Sequence, residues 1–263
     1  MIGALIGDIA GSRFEWNNHR SKEFEFFAKD CLCTDDSIMS IAAAKALLES
    51  DEDFTDLSAQ AVRWMREVGR RYPEGWYSRR FKAWLMSEDP QPYEARTNGA
   101  AMRVSACAYA ARSLEEAKHL SRAVTEITHN HPEGIKGAEA VTVAVYMART
   151  GSTMEQIREV IDREYYPMDF TLDGIRESYA FDYTCEGSVP QAFMAFFESV
   201  SVEDAIRNAI SIGGDSDTIA AIAGAVAGAY YGVPDELRGQ AIAYMDEGMR
   251  EILFAFEAKF MKA

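Results

Sequence analysis

Two short acid-rich stretches carry the strongest chemical signal in the chain. Thr34-Asp35-Asp36-Ser37 stands directly ahead of a helical pattern beginning near Ile38, and Gly213-Gly214-Asp215-Ser216-Asp217-Thr218 stands ahead of another. Thr, Asp and Ser are good helix N-caps, and a helix start favours negative charge, so taken alone Thr34-Asp35-Asp36-Ser37 reads as a capped helix start, and capping accounts for one acid of the second stretch. It does not readily account for acids at i and i+2 behind a double glycine, which lets the backbone turn sharply. Together the stretches offer four carboxylates and two threonines, all oxygen donors. Such a set selects hard cations such as Mg²⁺, Mn²⁺ or Ca²⁺, whereas zinc would recruit Cys or His. Four acids held together repel one another without a cation, and two ions about 3.5–4 Å apart would satisfy them and activate a water.

Four weaker features surround these two. Glu15 closes Gly7-Asp8-Ile9-Ala10-Gly11-Ser12-Arg13-Phe14-Glu15, just beyond a first helix and ahead of Asn17-Asn18-His19-Arg20. It reads either as a surface acid or as an acid and water-positioning group on a loop that can close over a ligand. Thr97-Asn98-Gly99-Ala100-Ala101-Met102-Arg103 reads as a glycine-bearing helix start whose free N–H groups can receive a pyrophosphate. Thr128-His129-Asn130-His131 precedes a helix, and His129 is the better candidate of its two histidines for substrate contact, although a lone His is more often simply packed. Cys185-Glu186-Gly187-Ser188 looks like a turn that lines a pocket, and Trp64, Trp76 and Trp84 read as core or rim.

The elements that must hold these groups read as helices throughout. Apolar positions recur at helical spacing, as in Ile38, Ile41, Ala42, Ala46, Leu48 and in Ala138, Val141, Val145, Tyr146, and no convincing strand ladder appears. The pattern predicts further helices over roughly 55–70, 77–87, 99–112, 115–127, 152–164, 187–198, 201–210 and 235–259. Turns are expected at Pro73-Glu74-Gly75, Asp89-Pro90-Gln91-Pro92, His131-Pro132-Glu133-Gly134 and Gly187-Ser188-Val189-Pro190. The apolar start, Met1 to Ile6, reads as a buried first helix rather than a leader, because it lacks a basic flank and Asp8 interrupts it. The uncharged run from Thr218 to Pro234 is mostly Ala and Gly, which suits a helix crossed closely by its neighbours better than a membrane span. The expectation is an all-α bundle.

At 263 residues, with 48% apolar and 26% charged side chains, the chain can bury a sizeable core, and one domain over 1–263 is expected. A net charge of −15 disfavours a nucleic acid or an anionic membrane as a general partner, since polyanions are held by Lys and Arg. Four cysteines without paired C-x-x-C spacing suit neither a disulfide framework nor a structural zinc site, and point to a reducing, cytoplasmic setting.

In their order along the chain these motifs resemble the ADP-ribosylglycohydrolase family, which includes the dinitrogenase reductase-activating glycohydrolases. The resemblance runs from Gly3-Ala4-Leu5-Ile6-Gly7-Asp8 and Glu15 through Thr34-Asp35-Asp36, Asn98-Gly99-Ala100-Ala101-Met102-Arg103, Thr128-His129 and Glu186-Gly187-Ser188-Val189-Pro190 to Gly213-Gly214-Asp215-Ser216-Asp217-Thr218. It implies an orthogonal helical bundle with two Mg²⁺ or Mn²⁺ ions, held by Thr34, Asp35, Asp36, Asp215, Asp217 and Thr218. Asn98, Gly99, Ala100 and Ala101, His129, and Glu186, Gly187, Ser188 and Val189 are then expected to bind ADP-ribose. Glu15 or Asp36 would be the catalytic acid or base. The implied reaction is hydrolysis of the N- or O-glycosidic bond joining ADP-ribose to an acceptor, either a protein side chain or a small molecule.

Two competing readings remain at this point. An isoprenoid synthase is also helical and Asp-rich, but its D-D-x-x-D would need an acid where this chain has Met39. A non-catalytic ADP-ribose reader or crystallin-like structural protein of the same fold is the alternative. Retention of all four acids and of Glu15 favours the enzyme.

Overall fold

The computed structural model describes residues 1–261, and among these fourteen α-helices and two short 3-10 turns account for the regular structure. No strand occurs among them; Thr97 and Thr184 form one isolated antiparallel bridge. The all-α expectation holds, and no helix of the described residues is long and apolar enough to cross a membrane.

The centre is a crossing of α1 (Ile2–Gly11) and α12 (Ser216–Tyr231). Every residue of α1 is buried, as are the first twelve of α12. Gly3, Gly7 and Gly11 recur every fourth position, so they share one face of α1. A Cβ on Gly7 would lie 2.0 Å from the Ala220 carbonyl oxygen, and one on Gly3 would lie 2.1 Å from that of Gly224. Backbone therefore meets backbone. That close approach brings Asp8 of α1 beside Asp217 in the first turn of α12, and the small residues of the Thr218–Pro234 run serve this contact.

Around the pair, α2 (Asp35–Glu49) packs on α1, α3 (Leu57–Gly69), α5 (Ser105–Ala110) and α14 (Glu247–Phe260), while α7 (Pro132–Arg149) and α10 (Cys185–Phe197) pack on α12. The remaining helices are α4 (Arg79–Met86), α6 (Leu114–Thr125), α8 (Met154–Glu164), α9 (Leu172–Ile175), α11 (Val202–Ile210) and α13 (Asp235–Ala243). Local caps explain most boundaries. Thr153 and Gln156 close a reciprocal capping box at α8, and His131 caps α7 ahead of Pro132 at the first helical position.

Four expectations need correction. The helix foreseen over 99–112 is a 3-10 turn, Asn98–Ala100, followed by the short α5, because the amides of Ala101 and Met102 both donate to the Asn98 carbonyl and close the turn there. The helix foreseen over 235–259 is divided into α13 and α14, since the Asp246 side chain accepts from the Met249 amide and starts a new helix. The turn foreseen at 187–190 lies inside α10, whose cap is Thr184, accepting from the Gly187 amide. Among the four turns, the one foreseen at 131–134 is the start of α7.

Candidate metal centre

The two acid-rich helix starts meet. Thr34 performs the capping of α2, its hydroxyl accepting from the Asp36 amide at 3.3 Å, which leaves the Asp35 and Asp36 carboxylates free. At α12 the preceding glycines both take positive φ, +71° at Gly213 and +78° at Gly214, which a side chain would resist. Asp215 occupies the N-cap position of α12 without using its carboxylate as a cap. Both starts thus leave their acids unused by the caps.

Oxygens of Asp8, Asp36 and Asp217 lie within 4.8 Å of one another, as do oxygens of Glu15, Asp215 and Asp217. Asp217 belongs to both groups. The Thr218 hydroxyl donates to Asp36 Oδ2 at 3.2 Å and the Thr218 amide to Asp217 Oδ1 at 2.9 Å. Among the described residues, two oxygens of these acids, Asp36 Oδ1 and Glu15 Oε2, are buried with no hydrogen-bond partner. Leaving such acceptors dry is costly unless something positive answers them. A hard divalent cation fits this donor set, all oxygen and strongly acidic.

Electrostatics agree. With protein charges alone, burial first and then Asp215, Asp35 and Asp8 push the Glu15 carboxyl up to about 8. Burial, followed by Asp8 and Asp215, pushes half-buried Asp35 up to about 8, and burial with neighbouring acids holds Asp36 and Asp217 well above the usual carboxylate range. Burial raises Asp215 as well.

Asp8 is a residue that motif reading passed over. It accepts from the Thr34 hydroxyl at 2.6 Å and from the amides of Thr34 and Ser37, each at 3.0 Å. Three donors already occupy its oxygens, so it fits a residue that orients Thr34 and the start of α2 better than a direct ligand. The available signal was an acid set within an apolar first helix.

A cleft of about 480 Å³ opens over these acids. Glu15, Asp35, Asp36, Asp215, Asp217 and Thr218 form one end, and Thr97, Asn98, Gly99, Met102 and His129 form a wall. Of the other expected wall residues, Ala100, Ala101, Ser188 and Val189 are fully buried behind it, while Glu186 does not line the cleft and pairs with Arg96 at 3.6 Å. Gly187 likewise does not line the cleft. Asn98 turns its amide to the acids, donating to Asp215 Oδ2 at 2.6 Å and to Ser188 Oγ at 2.9 Å. Ser188 donates onward to the Asp182 carbonyl. The two expected wall segments therefore meet through Asn98 and Ser188, and both support Asp215.

The rim was not foreseen in full. Trp16 is 74% exposed and stacks on Phe181 at 5.6 Å, with Tyr183 alongside, and all three line the cleft. Trp76 joins them from a backbone at φ +43°, a conformation that costs a bulky residue about 1–3 kcal/mol. The loop after Glu15 is pinned rather than free. Asn18 accepts from the Gly214 amide at 2.7 Å, and Arg20 donates to the carbonyls of Ile212 at 3.0 Å and Tyr179 at 2.6 Å.

The profile of the ADP-ribosylglycohydrolase family matches residues 1–251. ADP-ribosylhydrolase ARH3 of Mus musculus is 25% identical, over 89% of this chain and 83% of that protein. ADP-ribosylarginine hydrolase Tri1 of Pseudomonas putida (strain GB-1) is 26% identical, over 89% and 70% respectively. The ADP-ribosyl-[dinitrogen reductase] glycohydrolase of Rhodospirillum rubrum is 29% identical, over 77% and 70%. A solved structure described as an ADP-ribosylglycohydrolase-related protein complex superposes with a TM-score of 0.69 at 23% identity, covering 98% of this chain and 96% of that one, and so shares the fold.

Proposed function

The chain belongs to the ADP-ribosylglycohydrolase family, and from that premise we propose that it is a binuclear metal-dependent hydrolase releasing ADP-ribose from an ADP-ribosylated protein side chain or small molecule. In this reading it acts as one domain over 1–263 in a reducing, cytoplasmic setting. The observation that carries the proposal is the convergence of Glu15, Asp36, Asp215 and Asp217, with two buried carboxylate oxygens left without a donor.

Thr34, Asp35, Asp36, Asp215, Asp217 and Thr218 would hold two Mg²⁺ or Mn²⁺ ions, which when bound supply Lewis acidity toward a ribose hydroxyl and a water. The chain's own groups do the rest. Thr34 retains a lone pair for a cation while its proton goes to Asp8. Asn98 steadies Asp215, and Thr218 steadies Asp36. The bond cleaved is the one at the anomeric carbon of the ribose joined to the acceptor, through an oxocarbenium-like transition state. Glu15 is the better base of the two candidates, because it is only half buried, whereas Asp36 sits deep and already accepts from Thr218. Glu15 Oε2 would take a proton from the attacking water and pass it to the acceptor atom as the bond to the anomeric carbon breaks, so that the acceptor leaves protonated and the water oxygen becomes the new hydroxyl of ADP-ribose.

The cleft wall formed by Asn98, Gly99 and His129 would carry ADP-ribose, with Ala100, Ala101 and the Glu186–Val189 segment shaping it from behind. The test is a panel of substrates, ADP-ribosylated on arginine, serine, a nucleic-acid base or an acetyl group, incubated with Mg²⁺ or Mn²⁺ while free ADP-ribose is measured. Release from at least one of them is expected. Binding of ADP-ribose with no release from any would instead support the non-catalytic reader.

A further inference from the structure

Through the cleft wall runs a chain of four hydrogen-bonding side chains, Arg103, Thr128, His129 and Thr97, of which the proposed hydrolysis uses only His129, as part of the wall. Arg103 is only 1% exposed and His129 only 3%. No carboxylate pairs with Arg103 among the described residues, and its Nε is buried without a partner. Its Nη2 donates to Thr128 Oγ1 at 2.5 Å and lies 3.5 Å from His129 Nδ1. Thr128 Oγ1 is itself 2.8 Å from that same Nδ1.

Donor and acceptor arithmetic fixes the direction of the chain. Guanidinium has five donors and no acceptor, so Thr128 receives from Arg103 and keeps its own proton to give. Its nearer acceptor is His129 Nδ1 at 2.8 Å, against 3.4 Å to the Thr125 carbonyl. Both neighbours of Nδ1 are then donors, which makes Nδ1 the bare nitrogen of the ring. A second ring proton is opposed by burial and by the Arg103 charge, which hold the imidazole well below its ordinary range. The one ring proton sits on Nε2, 2.9 Å from Thr97 Oγ1. Among the described residues Thr97 Oγ1 makes no other hydrogen bond, and Thr97 lines the cleft. Once it accepts from Nε2, its own proton is left to point at whatever the cleft holds.

We propose that Arg103 is a positioning residue: through Thr128 it fixes His129 as the neutral Nε2–H tautomer, and His129 in turn makes Thr97 a hydrogen-bond donor toward the cleft. The ligand group seated over Thr97 is then an acceptor oxygen, phosphoryl or hydroxyl. Only this last assignment rests on the ADP-ribose reading; the tautomer is a property of the protein alone.

The tautomer is read by nitrogen NMR of the full chain labelled at histidine, without ligand, with His129→Asn to assign the signal among the four histidines. His129 is expected to show a bare Nδ1 and a protonated Nε2, and not to titrate where exposed histidines do. Removing Arg103 tests folding as much as the relay, so Thr128→Val, close to the same shape, is the decisive variant. It is expected to give mixed tautomers, and Thr128→Ser to restore the single one. Calorimetry with free ADP-ribose then reads the outer end: Thr97→Val is expected to bind roughly tenfold more weakly, the worth of one hydrogen bond, and Thr97→Ser to bind as the parent does. A protonated Nδ1 in the parent, or an unchanged tautomer in Thr128→Val, would overturn the role of Arg103. Unchanged affinity in Thr97→Val would overturn the donor assignment. If ADP-ribose did not bind the parent protein at all, the substrate reading and the acceptor assignment would fall together, while the NMR result would still decide Arg103.

Discussion

At the scale of single residues, the acids divide by what already touches them. Asp8 has three donors and orients Thr34, while Asp217 is common to both oxygen groups. Glu15 stands at the cleft side with a buried, unpartnered oxygen. Glu15→Gln keeps shape but cannot accept a proton, so turnover should fall on the order of 10²–10⁴-fold with metal content nearly unchanged. Wild-type turnover in that variant would remove Glu15 from the chemistry, and an emptied metal site would make it a ligand. Asp217→Asn should instead weaken cation binding at both positions while helical circular dichroism persists; retained stoichiometry would show that Asp217 does not bridge. The acids also predict a pH dependence for the metal-free protein. Their folded pKa values lie above the ordinary ones, 3.8 rising to about 6 for Asp8 and to about 8 for Asp35, and 4.5 rising to about 8 for Glu15. The folded state then holds protons that the unfolded chain has released. Stability should therefore fall as pH climbs through the window from about 4 to about 8. Chemical denaturation in chelator across that window should show the decline, and added Mg²⁺ should flatten it by answering the charges.

Helices decide whether those residues meet. Gly7→Ala would drive a methyl into the Ala220 carbonyl, 2.0 Å from the added Cβ, and would push α1 off α12. The expected cost is about 1–3 kcal/mol or more, as for other overpacked sites, with weakened cation binding because Asp8 and Asp217 separate. A thermal melt with metal titration checks both, and unchanged stability would show that the crossing relaxes freely. Asp215-x-Asp217 was legible in the sequence because capping does not readily account for two acids behind two glycines, whereas Thr34-Asp35-Asp36 alone reads as a capped helix start and gains its meaning from the second stretch. Asp8 was not legible, since its neighbours Ile6, Gly7, Ile9 and Ala10 read only as buried helix; its importance depends on Thr34 and Ser37, 26 and 29 residues away. The same holds for Arg103, whose partner Thr128 is 25 residues distant. Periodicity also missed the breaks at 101–104 and 244–246, because apolar spacing continues across them while local hydrogen bonds end the helix. Phe181 and Tyr183 lie where no periodic signal exists, and only the packing of that loop on Trp16 reveals the rim.

For the whole molecule, the fold places a cluster of repelling acids at a junction of two helix starts, and a cation is the simplest means of making that arrangement stable. The net charge of −15 adds to the same field. A cation bound only by the folded state should raise the melting temperature, with a stabilisation of about 2.7 kcal/mol at a hundredfold excess over its dissociation constant. Differential scanning calorimetry against Mg²⁺ and Mn²⁺ concentration measures this, and a melting temperature indifferent to either ion would argue for a purely structural acid cluster. The most direct test of the central claim is the release of free ADP-ribose from the best substrate of the panel, measured before chelation, in excess chelator, and after Mg²⁺ or Mn²⁺ is restored. The account predicts loss of release in chelator and its recovery on restoring the ion, in the parent protein but not in Asp217→Asn. Undiminished release in excess chelator would contradict it.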